Sequence, residues 1–225
     1  MAMTAAAVFA LAVPALAAQS PAQVSVVDSL GHEVAVPGTI GRIISLEPEI
    51  TRIIVALGAG KRLVGIDFFL RHHDHLFPLV FPAAELLPVV SNQGQELNYE
   101  EAIRLRPAIV FASPSEFRMA DSIEKKLKIP VVSLASMGRI GALLDEIGTV
   151  GRILGREDRA ARLVAIFRDN LANIRGLASS RTGGEHPSVY LAFWGSLVRT
   201  PISYEPVDMA GGRNVASGLL PDYLG

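Results

Sequence analysis

Short apolar runs alternating with helical stretches set the narrowest limit on how this chain can fold. Arg42-Ile-Ile-Ser-Leu46, Leu63–Ile66, Ala108–Ala112 and Pro130–Leu134 each read as a strand with too little polar alternation for a sheet wet on one face. Between them, Ile50, Ile53, Ile54 and Leu57 recur at helical spacing after Pro48, and Gly58 and Gly60 close that helix. Asn98–Leu105 forms two turns before Pro107, with Ile103 toward the core, and Asp121–Leu127 is a further helix. Strands apolar throughout, alternating with helices, predict an α/β fold with a parallel sheet covered on both faces and right-handed crossovers. Ahead of the sheet, Val24–Val36 reads as a hairpin about Ser29-Leu30-Gly31-His32, Gly31 supplying a positive φ.

From Ile140 the pattern is helix alone. Ile140, Leu143, Leu144, Ile147, Val150, Ile153 and Leu154 keep a 3.6-residue period that stops at Gly155. A second helix opens at Glu157-Asp158 and carries Ala160, Leu163, Val164, Phe167, Leu171, Ile174 and Leu177 on one stripe. Residues 157–177 would make a rod of roughly 32 Å, long enough to connect two bodies. Ser179–His186 is a linker or loop and Ser188–Phe193 begins a new strand, with too few residues after it for a second full α/β lobe, so either the second body is incomplete or the long helix packs back on the first. The organisation is an N-terminal lobe over 24–155, a connecting helix over 156–178, and the start of a second α/β lobe over 187–225.

Composition narrows the function. With 21 Lys and Arg against 22 Asp and Glu the chain has no basic field for a nucleic acid, and with 0 Cys it has neither disulfides nor thiolate chemistry. The opening MAMTAAAVFALAVPALAAQS has an apolar run from Ala5 to Val13, then Pro14 and a small-x-small Ala15-Leu16-Ala17, which reads as a signal peptide over residues 1–17. No later apolar run is long enough to span a bilayer, so the expected mature chain is periplasmic and not inserted in the membrane.

Three groups could carry chemistry. His72, His73, Asp74 and His75 offer imidazole and carboxylate to a metal, or form a ligand-binding loop, or are an exposed polar loop. His32 and His186 fall in turns and read as solvent-facing. Gly58-Ala-Gly60 ends a helix where a phosphate loop would open one, and neither a G-x-S-x-G elbow nor a spaced carboxylate pair gives a catalytic constellation. Tyr190, Phe193, Trp194, Arg199 and Tyr204 cluster where a strand of the second body ends. There rings could stack on a ligand while Arg199 meets its anionic groups; the alternative is an aromatic core with one surface arginine.

The hairpin, Arg42-Ile-Ile-Ser-Leu-Glu-Pro-Glu-Ile-Thr51, Ala56-Leu-Gly-Ala-Gly60, Leu63-Val-Gly-Ile66 and Ile129-Pro-Val131 resemble the N-terminal lobe of periplasmic binding proteins serving ABC importers of siderophores, haem and cobalamin. Asn98-Tyr-Glu-Glu-Ala-Ile103 followed by Leu105-Arg-Pro107 resembles that family's helix leading into a strand, with Ala108 in place of its usual aspartate. Asp208-Met-Ala-Gly-Gly-Arg-Asn-Val215 resembles a segment of the C-terminal lobe, which in the family runs well beyond Gly225. The resemblance implies two α/β lobes joined by one long helix, the second incomplete here, with ligand between them. It implies that Glu47, Asp67, Phe68 and Ser113 line the N-lobe side and that Trp194, Arg199 and Tyr204 face them. It further implies that Glu100 docks on the permease, that the partner is an ABC importer permease, and that the ligand is an iron-siderophore, haem or cobalamin. No cofactor is built in, and the expected state is a monomer.

The alternatives are a chelatase or hydrolase acting on a metal complex, and a structural remnant that binds little. Export in a Gram-negative host is expected to yield a chain beginning at Ala18. Mass spectrometry finding only unprocessed cytoplasmic chain would refute it.

Overall fold

The computed structural model describes residues 23–91, 97–114, 122, 124–126, 128–134, 139–181, 186–192 and 200–218. β1 (Gln23–Val27) and β2 (Glu33–Pro37) pair antiparallel about Gly31 at φ +81°. Asp28 Oδ1 fixes the turn by accepting from the N–H groups of Leu30 at 2.9 Å and His32 at 2.8 Å. β3 (Ile43–Ser45), β4 (Leu63–Ile66), β5 (Ile109–Ala112) and β6 (Val131–Ser133) form one sheet in the order β4-β3-β5-β6, every pair parallel. The apolar runs of the sequence become this sheet because its strands are covered on both faces.

Alternate residues go to alternate faces. Ile43, Ile109, Phe111 and Val132 join one buried cluster with α1 (Pro48–Ala56), the hairpin and α5 (Ile140–Leu154). Ile44, Val110, Ala112 and Val131 join the other with Ala102 and Leu105 of α4 (Tyr99–Leu105). Pro48 stands in the first turn of α1, and Gly58 at φ +77° follows its end. On α4 the sheet-facing stripe is Ala102 and Leu105, so Ile103, about 100° further round, is 55% exposed and not in the core. Of the helix expected over Asp121–Leu127, Ser122 and residues 124–126 are helical. Two further short helices, α2 (Phe68–His72) and α3 (Phe77–Val80), follow β4 where a loop was expected.

α5 ends at Gly155, φ +63°, and α6 (Glu157–Arg181) turns back from it over 25 residues, roughly 38 Å at 1.5 Å per residue. The two helices meet at Gly151, where an added Cβ would stand 2.5 Å from the Cβ of buried Ala160. Leu163 and Val164 are partly buried against the same core, whereas Phe167 is 37% exposed and Leu177 62%. The apolar stripe of the long helix is therefore packed against the core over its first two turns, and beyond them Leu171 is half-buried while Phe167, Ile174 and Leu177 are exposed.

A small second body follows. β7 (Ser188–Val189) pairs parallel with β8 (Arg213–Asn214), and α7 (Glu205–Met209) packs against α6. Of the strand expected to reach Phe193, Ser188–Val189 pair, and Phe193 lies outside the described residues. Asn214 Nδ2 donates to the Pro201 carbonyl at 2.7 Å and Arg213 N–H to that of Pro187 at 2.8 Å, tying the body together. No helix among the described residues is long and apolar enough to cross a membrane.

The seat at Gly151 yields a paired prediction. Gly151→Ala is expected to destabilise by about 1–3 kcal/mol through overpacking against Ala160. Gly148→Ala, where an added Cβ meets nothing within 4 Å, is expected to stabilise by about 0.5–1 kcal/mol. Urea unfolding of both variants checks the contrast, which equal shifts of one sign would contradict.

Candidate functional site

The strand order fixes where a ligand can sit. From β3 the chain crosses to β4 on one side and then returns to β5 on the other, so the topological switch lies between β3 and β5, outside their carboxyl ends. Glu47 follows β3, Asp67 and Phe68 follow β4, and Ser113 follows β5. The sheet thus brings the four N-lobe residues singled out in the sequence to one edge.

Their side chains differ in what they can do there. Half-buried Glu47 is the N-cap of α1, its carboxylate accepting from the Glu49 N–H at 3.4 Å. Behind it, the hydroxyls of Ser45 and Thr51 lie 2.7 Å apart and reach the Glu47 carbonyl at 3.3 and 3.1 Å, a buried network that fixes the strand-to-helix turn. Asp67 is 4% exposed and caps α2, Oδ1 accepting from the Leu70 N–H at 2.8 Å. Asp67 thus combines a buried carboxylate with a capping role at the carboxyl end of β4. Ser113 is buried.

Phe68 is half-buried, its N–H donating to Ser91 Oγ at 3.1 Å. Its ring centroid lies 4.4 Å from that of His72 and 5.7 Å from that of His73, and Phe69 stands 5.6 Å from His73. These contacts build an aromatic and imidazole surface directly after β4. His72, His73 and His75 are exposed, and no group of three or more His, Asp or Glu among the described residues is placed to hold a metal. The fourth member of that run is engaged elsewhere. Asp74 Oδ2 accepts from Arg52 Nη2 at 2.6 Å and Nε at 3.1 Å, while Oδ1 accepts from the N–H groups of Leu76 and Phe77. Arg52 also pairs with Glu49, clamping α1 to the segment after α2. Burial alone would raise the Asp74 pKa, but the hydrogen bonds from Arg52, Phe77 and Leu76 and the Arg52 charge outweigh it and hold the pKa below the ordinary carboxylate range.

On the second body, Tyr204 is the half-buried N-cap residue of α7; Trp194 and Arg199 lie outside the described residues. Beside Tyr204, Glu205 Oε2 accepts from the Ile140 N–H, the first of α5, at 2.6 Å. Glu100 is exposed in the first turn of α4, next to the Asn98 cap and one turn from exposed Ile103. Its neighbour Glu101 is instead tied to Arg104 at 2.6 Å.

Two cavities among the described residues lie elsewhere. One of about 640 Å³ is lined by Gly58, Gly155, Arg156, Arg159 and Arg162 at the far end of α1; another of about 620 Å³ runs between α5 and α6. Both lie away from the strand carboxyl ends.

Sequence reasoning missed Thr51, Arg52, Ser91 and Glu205. Thr51 carried a signal, a lone hydroxyl beside the Ile50, Ile53, Ile54 stripe; Glu205 carried none, its partner being 65 residues away.

A model of the family described as "Periplasmic binding protein" matches residues 43–214. A cobalamin-binding protein of Halobacterium salinarum is 25% identical over 219 residues, covering 91% of this chain and 57% of that protein. An uncharacterized ABC transporter substrate-binding lipoprotein of Bacillus subtilis, YvrC, is 26% identical over 171 residues, covering 75% and 51%. The chain thus spans about half the length of the curated relatives it matches. Among solved structures, the molybdate-bound periplasmic binding protein MolA of Haemophilus influenzae shares the fold at a TM-score of 0.70 and 21% identity, covering 87% of this chain and 67% of that one.

The Arg52–Asp74 clamp has a pH signature. Because the folded pKa of Asp74 lies below the 3.8 of a free aspartate, its contribution to stability is fully present above that value and is lost as pH falls through the folded pKa. The stability difference between wild type and Asp74→Asn is expected to be constant above about pH 5 and to shrink below about pH 4. A difference unchanged down to pH 2 in urea titrations would disprove the clamp's ionic character.

Proposed function

This chain belongs to the periplasmic binding protein family, and from that premise we propose that it captures an iron(III) chelate or related metal complex in the periplasm and delivers it to an ABC importer permease. The observation that carries the reading is the convergence of Glu47, Asp67, Phe68 and Ser113 at the carboxyl edge of a parallel sheet, across its topological switch. In this reading Tyr204, with Trp194 and Arg199, completes the site from the second body.

The ligand class follows from what that edge offers. Helix amino ends ordinarily attract bare oxyanions, but Glu47 and Asp67 already cap α1 and α2 with carboxylates. A ligand recognised through its faces fits better, and the Phe68–His72 surface suits the plane of a tetrapyrrole, a corrin or an aromatic chelator. The similarity to a cobalamin-binding protein supports a metal complex of this kind. Binding without turnover is the proposed role, in keeping with a family of substrate-binding proteins.

Haemin, cyanocobalamin and a ferric siderophore are the probes. One of them is expected to bind with micromolar or lower Kd, about −8 kcal/mol or better, in difference absorbance. Failure of all three, or chemical turnover of the one bound, would overturn the proposal.

Docking is assigned to exposed Glu100 and Ile103, a carboxylate beside an apolar contact on one helix face. Glu100→Ala is expected to keep ligand affinity while weakening binding to the reconstituted cognate permease at least tenfold, about 1.4 kcal/mol. Equal permease affinity for both proteins would remove Glu100 from that surface.

A further inference from the structure

α5 begins without a local cap: Arg139 gives its amino end no side-chain hydrogen bond, and its first turn holds no acidic residue. The missing carboxylate comes from the second body. Glu205 Oε2 lies 2.6 Å from the Ile140 nitrogen, a short charge-assisted contact in a part-buried setting at the positive end of a 15-residue helix. Glu205 opens α7, which packs against the long helix α6 and against β8, and the residue before it is Tyr204. α5 follows β6, and a helix that follows a parallel strand begins at the edge where that strand ends. Glu205 therefore fastens the second body at the same edge as Glu47, Phe68 and Ser113.

We infer that Glu205 is a positioning residue: its bond to the amino end of α5 holds the second body over the carboxyl edge of the sheet and sets the place of Tyr204 against the ligand. The second half of this statement rests on the binding role proposed above; the first does not. α6 cannot do the holding alone, because beyond Val164 its apolar stripe is half-buried at Leu171 and exposed at Phe167, Ile174 and Leu177. With two fastenings, one along α6 and one at α5, the body has a defined orientation. With one it pivots.

Two substitutions remove the bond from opposite sides. Glu205→Ala deletes the acceptor. Ile140→Pro deletes the donor at a helical first position, where proline is favoured, after an Arg139 whose φ of −125° and ψ of 104° already suit a residue preceding proline. The chain has 0 Cys, so nitroxides on cysteines introduced at exposed Lys61 and Asp208 report the distance between the bodies without interference.

The ligand-free wild type is expected to give one narrow distance distribution. Glu205→Ala and Ile140→Pro should each broaden it, the double variant no further than either, and Glu205→Gln, which keeps a neutral acceptor, should restore most of the narrowing. Whichever of haemin, cyanocobalamin or the ferric siderophore the wild type binds should bind Glu205→Ala at least fivefold more weakly, with Tyr204 intact. A distribution as narrow in both single variants as in wild type overturns the inference, as does additive broadening in the double variant. Far-ultraviolet circular dichroism verifies folding, and Ile140→Pro carries the test if Glu205→Ala does not fold. Because the distances are read without ligand, a wild type that binds no probe refutes the binding role and leaves this result standing.

Discussion

Two-sided burial of β3 and β5 is the constraint on which the rest of the structure depends. Every residue of Ile43–Ser45 and Ile109–Ala112 is buried, so both faces of the sheet must be covered by other elements. Burying one such aliphatic or aromatic side chain is worth about 1.5–3 kcal/mol, and only crossover helices bring enough apolar surface to both sides. Even β4 obeys this demand: a Cβ on Gly65 would stand 2.8 Å from Val90 and 3.1 Å from Leu105, the packing beneath α4. Crossovers keep the strands parallel, parallel strands send all carboxyl ends to one edge, and the proposed site follows from that direction.

The same edge collects helix amino ends, and their partial positive charge must be answered. Carboxylates answer it three times, Glu47 on α1, Asp67 on α2 and Glu205 on α5. The first two are local, each the residue preceding its helix. The third comes from a distant part of the chain, which turns an ordinary capping requirement into a link between bodies. The buried Ser45–Thr51 pair plays a quieter part, holding the Glu47 carbonyl so that strand and helix join at a fixed angle.

Periodicity made most of the architecture legible. The apolar runs, the hairpin glycine, Pro48 and the glycine stop at residue 155 each act within a few residues of chain, and the structure has them where the sequence implied. Ile103 was misplaced because the sheet-facing side of a two-turn helix is decided by its neighbours, here Ala102 and Leu105. The helices after β4 were missed because Phe68–Val80 interleaves histidine with apolar residues at no single period, and capping by Asp67 and Asp74 imposes the order instead. Position along the edge could be read for Glu47, Phe68 and Ser113. The capping by Glu47 and Asp67 could not, since which N–H a carboxylate accepts from depends on three-dimensional packing.

The long helix shows why the second body needs more than a connector. A helix stabilised mainly by tertiary packing is firm where its apolar face is covered, and on α6 that holds for Ala160, Leu163 and Val164. Beyond them, over the 17 of its 25 residues from Ala165 to Arg181, its large apolar side chains are exposed except half-buried Leu171, and the helix packs against α7. Small bending over a lever of about 25 Å, at 1.5 Å per residue, displaces its far end by several ångström, more than a ligand contact tolerates. The chain returns from that far end to the sheet edge through β7 and α7, and the return closes on the Ile140 N–H. A lever fixed at both ends holds a surface in place; fixed at one end, it only keeps the surface near.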